Sequence, residues 1–567
     1  MTNTIGSTGT ISTQNGRTVV SGSSSGIDTS ALIEAAIKQR TREADKLDAQ
    51  IKKNDLRIAG YQTLADLGAE VRAKMQNLRQ VYGSTSTSNS IFNRKAGALS
   101  VITGSGNAGN ILGVTLSDSA QVGTTEIVVL KKAMAAKVAG GTVTDKTADL
   151  GYTGTFSIGL DGATAANINV TADMSLQEIA TAINAQSSGT KVTASVLKVG
   201  ENAFQLVLTG TNTAKNIQIS DTAGTVMQDL GVINGGGAFV DVIQPPQQAE
   251  IQVDGILVTR DSNLITDILD GVTLNIKAAD TGTTIALEVT KDTTASADAI
   301  LDFVEAYNTF RQFVKDNQAV GADGSVATGA ILFGDTLLKT LNQEIQGLLS
   351  RSYNTGDPAL TTMRDLGITL EDDNFLDVDE EILNNVLSNK FDTVRAMFET
   401  QHSSSSPDFR LLNNTAVGDF GALSIDITAS GPGAISAVTV NGEANMFDIS
   451  GTSIIGKKGT RYEGLSFAYI GAGSTTLTMT INQGLGDLVS NNFNRYTDST
   501  TGELTAQINR INSDSDTLQT RAERVRERAE QFRESLIAKY SRMEALINSA
   551  NSTLAQIRAI LGTNKDD

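Results

Sequence analysis

The 567-residue sequence has no cysteine, no tryptophan, one histidine and five prolines. The absence of cysteine excludes a disulfide framework, thiolate metal sites and cysteine nucleophiles. Because His402 is the only histidine, the usual ligand sets for zinc and iron are missing. We therefore predict no metal site and no cofactor.

Long apolar runs and dense basic patches are also missing. No stretch approaches the roughly twenty apolar residues that span a bilayer, so we expect no membrane insertion. The formal charge of −18 argues against a nucleic acid partner. The first residues lack the basic start and apolar run of a secretory signal peptide. The chain is expected to stay in the cytoplasm or to leave by a route that reads no such signal.

The most regular pattern present is a heptad repeat near the C-terminus. Fourteen of seventeen positions at alternating strides of four and three are apolar, which predicts a coiled-coil helix rather than a helix lying on a globular core. Thr500 and Glu503 have the spacing of a capping box before it. The positions are Leu504, Ile508, Ile511, Ser515, Leu518, Ala522, Val525, Ala529, Phe532, Leu536, Lys539, Met543, Leu546, Ala550, Thr553, Ile557 and Ile560.

A second long amphipathic helix is predicted near the N-terminus. Asp28 or Ser30 can cap it, and its periodic pattern runs to about Tyr82, interrupted at Arg40 and Asn54. The simplest arrangement pairs it with the C-terminal helix. We predict that the two apolar seams make the oligomer or filament contacts, through Ile33, Ile37, Leu47, Ile51, Ile58, Leu504, Ile508, Ile511, Leu518, Val525, Phe532, Leu536, Met543, Leu546, Ile557 and Ile560.

The sequence between these helices alternates between β and helical character. Short alternating runs separated by Gly, Asn and Ser predict strands from Ser84 to Val289, and a second β-rich block is predicted from about Phe409 to Ile481. Helices are predicted at 176–184, 296–317, 334–349 and 380–398, and a linker at Ser403–Pro407. This order predicts an α+β multidomain protein whose domains are built from non-adjacent segments.

Three motifs suggest chemistry, but their surroundings favour structural roles. Gly104–Gly109 matches G-x-G-x-x-G, yet a strand-like run follows it, so a hairpin loop is favoured over a dinucleotide site. Gly22–Gly26 matches G-x-S-x-G but lies in a flexible leader. The acidic run Glu371–Asp377 is interpreted as a turn and a strand with Asp379 capping the next helix, with weak surface cation binding as the alternative. No residue is assigned to catalysis, and we expect no enzyme.

Several segments together resemble the flagellar filament cap protein family, also called hook-associated protein 2. The resemblance extends from Ser25 to Leu561. It is carried by Ser25–Ile33, Ala249–Gly255, Ser262-Asn263, Asp270–Leu274, Ala306-Tyr307-Asn308, Gly334-Asp335, Leu366-Gly367-Ile368 and Tyr462–Ser466.

This resemblance implies the domain plan: long terminal coiled-coil helices, a helical leg domain and nested antiparallel β-rich head domains. The expected boundaries are a disordered leader at 1–27, a terminal coiled-coil domain at 28–83 plus 486–567, a helical leg domain at 84–97 plus 291–402, a β head domain at 98–140 plus 241–290, an inserted α+β head domain at 141–240 and an additional β-rich insertion at 403–485.

The resemblance also implies a function. Such a protein is expected to be a homo-oligomer of about four to six copies at the tip of the flagellar filament, where it promotes flagellin polymerisation and prevents flagellin loss. Implied partners are flagellin, the hook–filament junction proteins, and the flagellar type III export apparatus with its chaperone. The implied location is extracellular, without a cleaved signal peptide. The helical seams would exchange partners as subunits are added.

Two other readings stay open from the sequence. A hook–filament junction protein or another flagellin-like axial protein also has paired terminal helices, but should lack the Asp270–Leu274 and Ala306–Asn308 pattern. A surface adhesin would bind a glycan or host surface through its β domains, although the absence of tryptophan and the presence of only nine tyrosines argue against a sugar-stacking site.

Overall fold

The structure is a computed structural model that describes residues 10–14, 17–21, 27–80, 82, 90–321, 323–418 and 420–562, with side chains from 27 to 559. The chain divides into two compact units. One comprises Met1–Thr87 with Ala297–Asp567, and the other comprises Ser88–Ser296. The first unit is thus built from both ends of the chain.

Two long helices dominate the first unit: the N-terminal helix, Thr29–Gln76, and the C-terminal helix, Glu503–Gly562. They pack along each other. The predicted cap at Asp28 is confirmed, since its carboxylate accepts the Ala31 amide at 3.0 Å. The other helical segments of this unit are Thr336–Ser350, Met363–Leu366, Glu380–Phe398 and Leu485–Thr497, together with Thr293–Asn317, which begins just before Ala297.

The first unit also contains a two-sheet β domain between Gln401 and Asn482, with Phe409, Phe467 and Tyr462 in its core. In spatial order, one sheet is Gln401–Ser404, Thr475–Asn482, Gly421–Ala429, Ile435–Val440 and Glu443–Ala444. The other is Phe409–Asn414, Leu465–Tyr469, Ser453–Gly456 and Phe447–Ser450. A short antiparallel pair, Ile368–Leu370 with Leu376–Val378, precedes helix Glu380–Phe398.

The second unit holds two hydrophobic cores. The first includes Ile127, Ile251 and Leu274. It lies among a five-stranded sheet, in spatial order Ile256–Arg260, Ala249–Val253, Gly123–Lys131, Asp280–Lys291 and Lys95–Thr103, and a three-stranded sheet, Leu264–Ile265, Val272–Ile276 and Leu112–Leu116. The short helical segments Ile91–Asn93 and Ala108–Ile111 belong to this part of the chain.

The second core includes Phe156, Ile183 and Leu208. Its four-stranded sheet is, in spatial order, Asp241–Gln244, Ala135–Val143, Ala203–Thr213 and Val192–Gly200, and its three-stranded sheet is Ile217–Gly224, Gly154–Leu160 and Ala166–Val170. Helix Leu176–Ala185 carries the predicted capping box of Ser175 and Glu178. Short helices Ser187–Thr190 and Val226–Asp229 complete this part.

The leader and the ends of the two long helices differ from expectation. Thr10–Gln14 and Arg17–Ser21 form an antiparallel hairpin where a disordered leader was expected; the Gly22–Gly26 motif lies outside the described residues. The N-terminal helix ends at Gln76 rather than near Tyr82, because the Leu78 amide bonds back to the Met75 carbonyl in a tighter turn.

The predicted capping box at the C-terminal helix is wrong. The helix begins at Glu503, so Glu503 is its first residue and not its third. The carboxylate of Asp498 instead accepts the amides of Thr500 and Thr501, at 3.0 and 2.7 Å. A turn held by the Asp498 side chain therefore stands in place of the reciprocal side-chain cap.

Two loop predictions also need correction. The segment Gln401–Ser404 is a strand paired with Thr475–Asn482, so the predicted serine-rich linker begins only after Ser404. The strands on either side of Gly104–Gly109 belong to different sheets, so this loop is not a hairpin. The acidic run behaves as predicted: the Glu371 amide bonds to the Phe375 carbonyl in a turn, and Asp379 caps the next helix.

Candidate functional site

The predicted contact residues lie on the two long helices, whose central contact is built from small side chains. Ala44 and Ala522 are completely buried, and Val525 and Leu47 pack beside them. An alanine opposite an alanine lets two helices approach closely, so the seam is shallow at this level. Among the described residues, Leu47 is the one large apolar side chain that packs against this cluster.

Both interruptions of the N-terminal seam match a feature of the opposite helix. The guanidinium carbon of Arg40 lies 3.8 Å from the centroid of the Phe532 ring. The Asn54 amide donates to the Ser515 hydroxyl at 3.0 Å. Because Arg40 contacts a residue beyond Val525 while Asn54 contacts one before it, the helices run antiparallel.

Charged pairs flank this contact. Arg521 donates to Glu43 at 2.7 Å, and Arg526 pairs with Asp48. All four side chains are substantially exposed, so each pair contributes at most about 1 kcal/mol to stability. Their main effect is to favour one alignment of the two helices over others.

Towards the C-terminal end of the N-terminal helix, tight packing replaces the coiled-coil seam. A Cβ atom on Gly68 would lie 2.8 Å from Thr497 Cγ2 and 2.9 Å from Phe493 Cδ1, both on helix Leu485–Thr497. Arg72 also bonds to Asn494 on that helix. Glycine at position 68 therefore permits an approach that a side chain would prevent.

A polar cavity of about 550 Å³ lies where the N-terminal helix, helix Thr336–Ser350 and the start of the C-terminal helix meet. The Tyr61 hydroxyl donates to Asp335, and Arg57 lies 3.6 Å from the same carboxylate. Burial, followed by the neighbouring Asp335, raises the pKa of Tyr61 to about 12. Tyr61 is thus a hydrogen-bond donor at all physiological pH values.

A buried carboxylate joins the end of the N-terminal helix to helix Leu485–Thr497. Asp487 is completely buried, accepts the Thr400 hydroxyl at 2.6 Å and lies 3.4 Å from Arg79 Nη1. Burial raises the pKa of Asp487 to about 6, although Arg79 opposes the shift. The Tyr82 hydroxyl donates to the Thr400 carbonyl, and the His402 ring packs edge-on against Tyr82.

The predicted seam residues differ in burial. Ile33, Leu504, Ile511 and Val525 are buried. Leu546 and Ile557 are exposed, and the side chain of Ile560 lies outside the described residues. The half-buried members are Ile37, Leu47, Ile51, Ile58, Ile508, Leu518, Phe532, Leu536 and Met543. Their role in oligomer or filament contacts remains a prediction.

The C-terminal helix continues past its partner. Thr29 lies about three turns before Arg40, which places the end of the overlap close to Met543 on the opposite helix. Beyond that point Leu546 is 71% exposed, and Leu554 and Ile557 are about half exposed. The apolar seam is therefore uncovered at its far end in a single copy.

Within the described ranges no group of His, Asp and Glu side chains could hold a metal ion. None of the described helices is long and apolar enough to cross a membrane.

Comparison with known families identifies the chain. The sequence model described as the flagellar hook-associated protein 2 C-terminus matches residues 246–552, more than half of the chain. The N-terminal model of the same family matches residues 25–136, and a flagellin hook IN motif matches residues 155–212. The chain belongs to the flagellar hook-associated protein 2 family.

Individual relatives match parts of this family member. The B-type flagellar hook-associated protein 2 of Pseudomonas aeruginosa is 28% identical over 307 residues, covering 51% of this chain and 64% of the relative. The Salmonella typhimurium flagellar hook-associated protein 2 is 33% identical over 236 residues, covering 40% and 49%. The chain thus spans about half to two thirds of the length of these curated relatives.

Among solved structures, the chain is similar to the D1-D2-D3 domains of the Escherichia coli flagellar cap protein FliD. The sequence identity is 22% and the TM-score is 0.47. The match covers 60% of this chain and 90% of that chain.

The motifs that resemble the hook-associated protein 2 family act as structural clamps. The Asn308 amide donates to the Leu376 carbonyl at 2.9 Å, and its oxygen accepts the Leu376 amide at 2.8 Å. Asn263 makes the same paired contact with Ala133, at 2.9 and 2.8 Å. Each clamp joins segments more than sixty residues apart, so these asparagines hold distant parts of the fold together.

Sequence reasoning missed several residues that hold the terminal helices in place. Helix Leu485–Thr497 was not predicted because Asp487, Asn491 and Asn492 give it a polar appearance, yet all three are buried. For the contact between the two long helices, a signal was present in the sequence: Arg40 is a single cation within an apolar seam. Its position opposite Phe532 follows once the two helices are aligned antiparallel.

Proposed function

We propose that this chain is a structural cap protein at the distal tip of the bacterial flagellar filament, where it promotes ordered flagellin polymerisation and prevents flagellin loss. It acts as a homo-oligomer of about four to six copies. Its terminal helices contact neighbouring copies and filament subunits through the seam, and it reaches the tip through the flagellar type III export apparatus.

The exposed end of the C-terminal helix carries this proposal. Leu546 and Ile557 continue the heptad seam past the end of the partner helix, and the exposed Leu554 lies beside it. Apolar residues at this spacing are stable in water only when another helix covers them. A neighbouring copy or a flagellin subunit would supply that cover at the filament tip. Membership of the hook-associated protein 2 family agrees with this assignment.

Several features of the chain support adaptability rather than permanent contact. The seam contains Ser515, Lys539 and Thr553, and alanine occupies other core positions. Such residues weaken a coiled coil relative to one built from leucine and isoleucine. A weaker seam would let the helices exchange partners as each flagellin subunit is added.

The test uses cells whose only copy of the protein carries Leu546→Lys, alone or with Leu536→Lys. Because Leu546 is exposed in the single copy, the lysine should leave folding unchanged while abolishing filament growth seen by electron microscopy. The matched control is Asn548→Lys, which is exposed two residues further along the same helix but off the seam. Normal filaments from the Leu546→Lys strain would contradict the proposal.

A further inference from the structure

The four-stranded sheet of the second unit exposes apolar side chains on both of its edge strands. Leu197 is 54% exposed and Val199 47% on strand Val192–Gly200, at one edge. Val242 and Ile243 are about half exposed on strand Asp241–Gln244, at the other. Soluble proteins usually protect edge strands with charge, proline or cover. Two apolar edges on one sheet therefore suggest a pairing function.

The directions of the strands make these two edges complementary. All three neighbouring pairs in this sheet are antiparallel. With an even number of strands, the two edge strands run in opposite directions. If a second copy is placed beside the first with its strands aligned the same way, the facing edges form an antiparallel ladder. The same step can be repeated around a ring.

The structure also limits where such a ladder can form. The Asn184 side chain accepts the Ala194 amide and donates to the Ala194 carbonyl, each at 2.8 Å. That contact covers the beginning of the edge strand. Alternate residues of a strand direct their backbone groups to the same side. The backbone amides and carbonyls of Val196 and Lys198 therefore also point outward, and they lie beyond the residue that Asn184 covers. The open stretch is thus Val196–Gly200.

The two edges carry opposite charges. Lys198 is the only charged residue within strand Val192–Gly200, and Asp241 is the only one within Asp241–Gln244. Both are exposed. Opposite charges favour contact between the two different edges and disfavour contact between two identical edges. This selects a head-to-tail contact between identical chains.

The five-stranded sheet of the same unit provides a contrast. Its edges, Lys95–Thr103 and Ile256–Arg260, also expose apolar residues such as Val101 and Leu257. All four pairs in it are antiparallel, so with an odd number of strands its two edges run in the same direction. The same side-by-side addition would there give a parallel ladder.

We propose that the edge at Val196–Gly200 of one copy pairs antiparallel with the edge at Asp241–Gln244 of the next copy. The four-stranded sheets of neighbouring copies then join in a closed ring. This inference rests on the proposed homo-oligomer and names the surface through which its copies meet. A heterologous contact of this kind closes when the rotation between copies divides the circle evenly.

The natural absence of cysteine gives a direct test in the full chain. Two double variants, Leu197→Cys with Ile243→Cys and Val199→Cys with Ile243→Cys, cover two registers of the ladder. Within one copy the edges are three strand spacings apart, about 14 Å, beyond the roughly 7 Å that a disulfide spans between Cα atoms. Mild oxidation should therefore yield a ladder of covalent dimers, trimers and larger species on a non-reducing gel.

The controls separate this surface from general association. Each single-cysteine variant should give no ladder, and Val101→Cys with Leu257→Cys should give none either. The absence of a ladder from both edge pairs, or an equal ladder from the Val101 and Leu257 pair, would overturn the inference. If the unmodified chain still sediments as an oligomer in that case, the proposed oligomer stands and only this surface fails. A monomeric unmodified chain would contradict both.

Discussion

The guanidinium of Arg40 covers the ring of Phe532, with 3.8 Å between the guanidinium carbon and the ring centroid. A cation over an aromatic face contributes about 0.5–1 kcal/mol at an exposed site. This contact holds the last shared turns of the two long helices together. Arg40 is one of the two polar residues that interrupt the apolar seam of the N-terminal helix.

We expect Arg40→Ala to loosen the far end of the helix pair without unfolding the rest of the unit. Hydrogen exchange of the amides near Phe532 should become several-fold faster, and a double-mutant cycle with Phe532→Leu should show coupling of about 0.5–1 kcal/mol. Arg42→Ala, at an exposed position on the same helix, is the control. Strictly additive effects of Arg40→Ala and Phe532→Leu would show that the guanidinium and the ring do not interact.

The close approach at Gly68 leads to a second prediction. Gly68→Ala should lower the free energy of unfolding by about 1–3 kcal/mol, because its Cβ would overlap Thr497 and Phe493. Gly347, in helix Thr336–Ser350, has no atom within 4 Å of an added Cβ. There the same substitution should raise stability by up to about 1 kcal/mol through helix propensity. Urea unfolding midpoints measure both, and equal shifts would contradict the proposed packing.

Asp487 predicts a pH dependence of stability. Its pKa is raised from 3.8 to about 6 by burial, so the folded state binds the proton more tightly than the unfolded state. The stabilising effect of that proton is fully present below about pH 4 and is lost as the pH rises through about 6. On the order of 3 kcal/mol would be lost over this range.

The matching measurement compares the chain with Asp487→Asn from pH 4 to 8. The asparagine keeps the size of the side chain but cannot ionise, so the difference between the two stability curves isolates residue 487. His402 acts in the opposite sense, because burial lowers its pKa, and its contribution cancels in the difference. A difference curve that is flat between pH 4 and 7 would show that the carboxylate is ionised throughout.

Much of the helical architecture could be predicted from the sequence because period and capping are local. The Asp28 cap, the Ser175 and Glu178 box and the helix at 380–398 depend on residues within one or two turns of each other. The heptad seam also predicted the pairing of the long helices. The interruption at Asn54 could be explained only after Ser515 was found opposite it.

What the sequence could not give depends on distant partners. Asn491 is buried because its amide donates to the carbonyls of Asn414 and Ala416, at 3.2 and 3.1 Å. A polar residue that finds such partners is indistinguishable in sequence from one that faces water. The predicted linker Ser403–Pro407 overlaps the strand Gln401–Ser404 for the same reason, since the partner of this strand lies roughly eighty residues further along the chain.

Asn308 offers the sharpest test of what the family motifs do. Asn308→Leu removes both contacts with the Leu376 backbone and leaves a buried amide and carbonyl unpaired, which should cost about 1–3 kcal/mol. Asn308→Asp can still accept the Leu376 amide, but its carboxylate faces the Leu376 carbonyl, so it should be tolerated better at acidic pH, where it is protonated. Thr309→Ala, at an exposed neighbour whose hydroxyl bonds only within the helix, should change stability by less than about 0.5 kcal/mol. Thermal unfolding of the three variants at pH 4 and pH 7 measures these effects, and an Asn308→Leu variant as stable as the unmodified chain would contradict a structural role for the two hydrogen bonds.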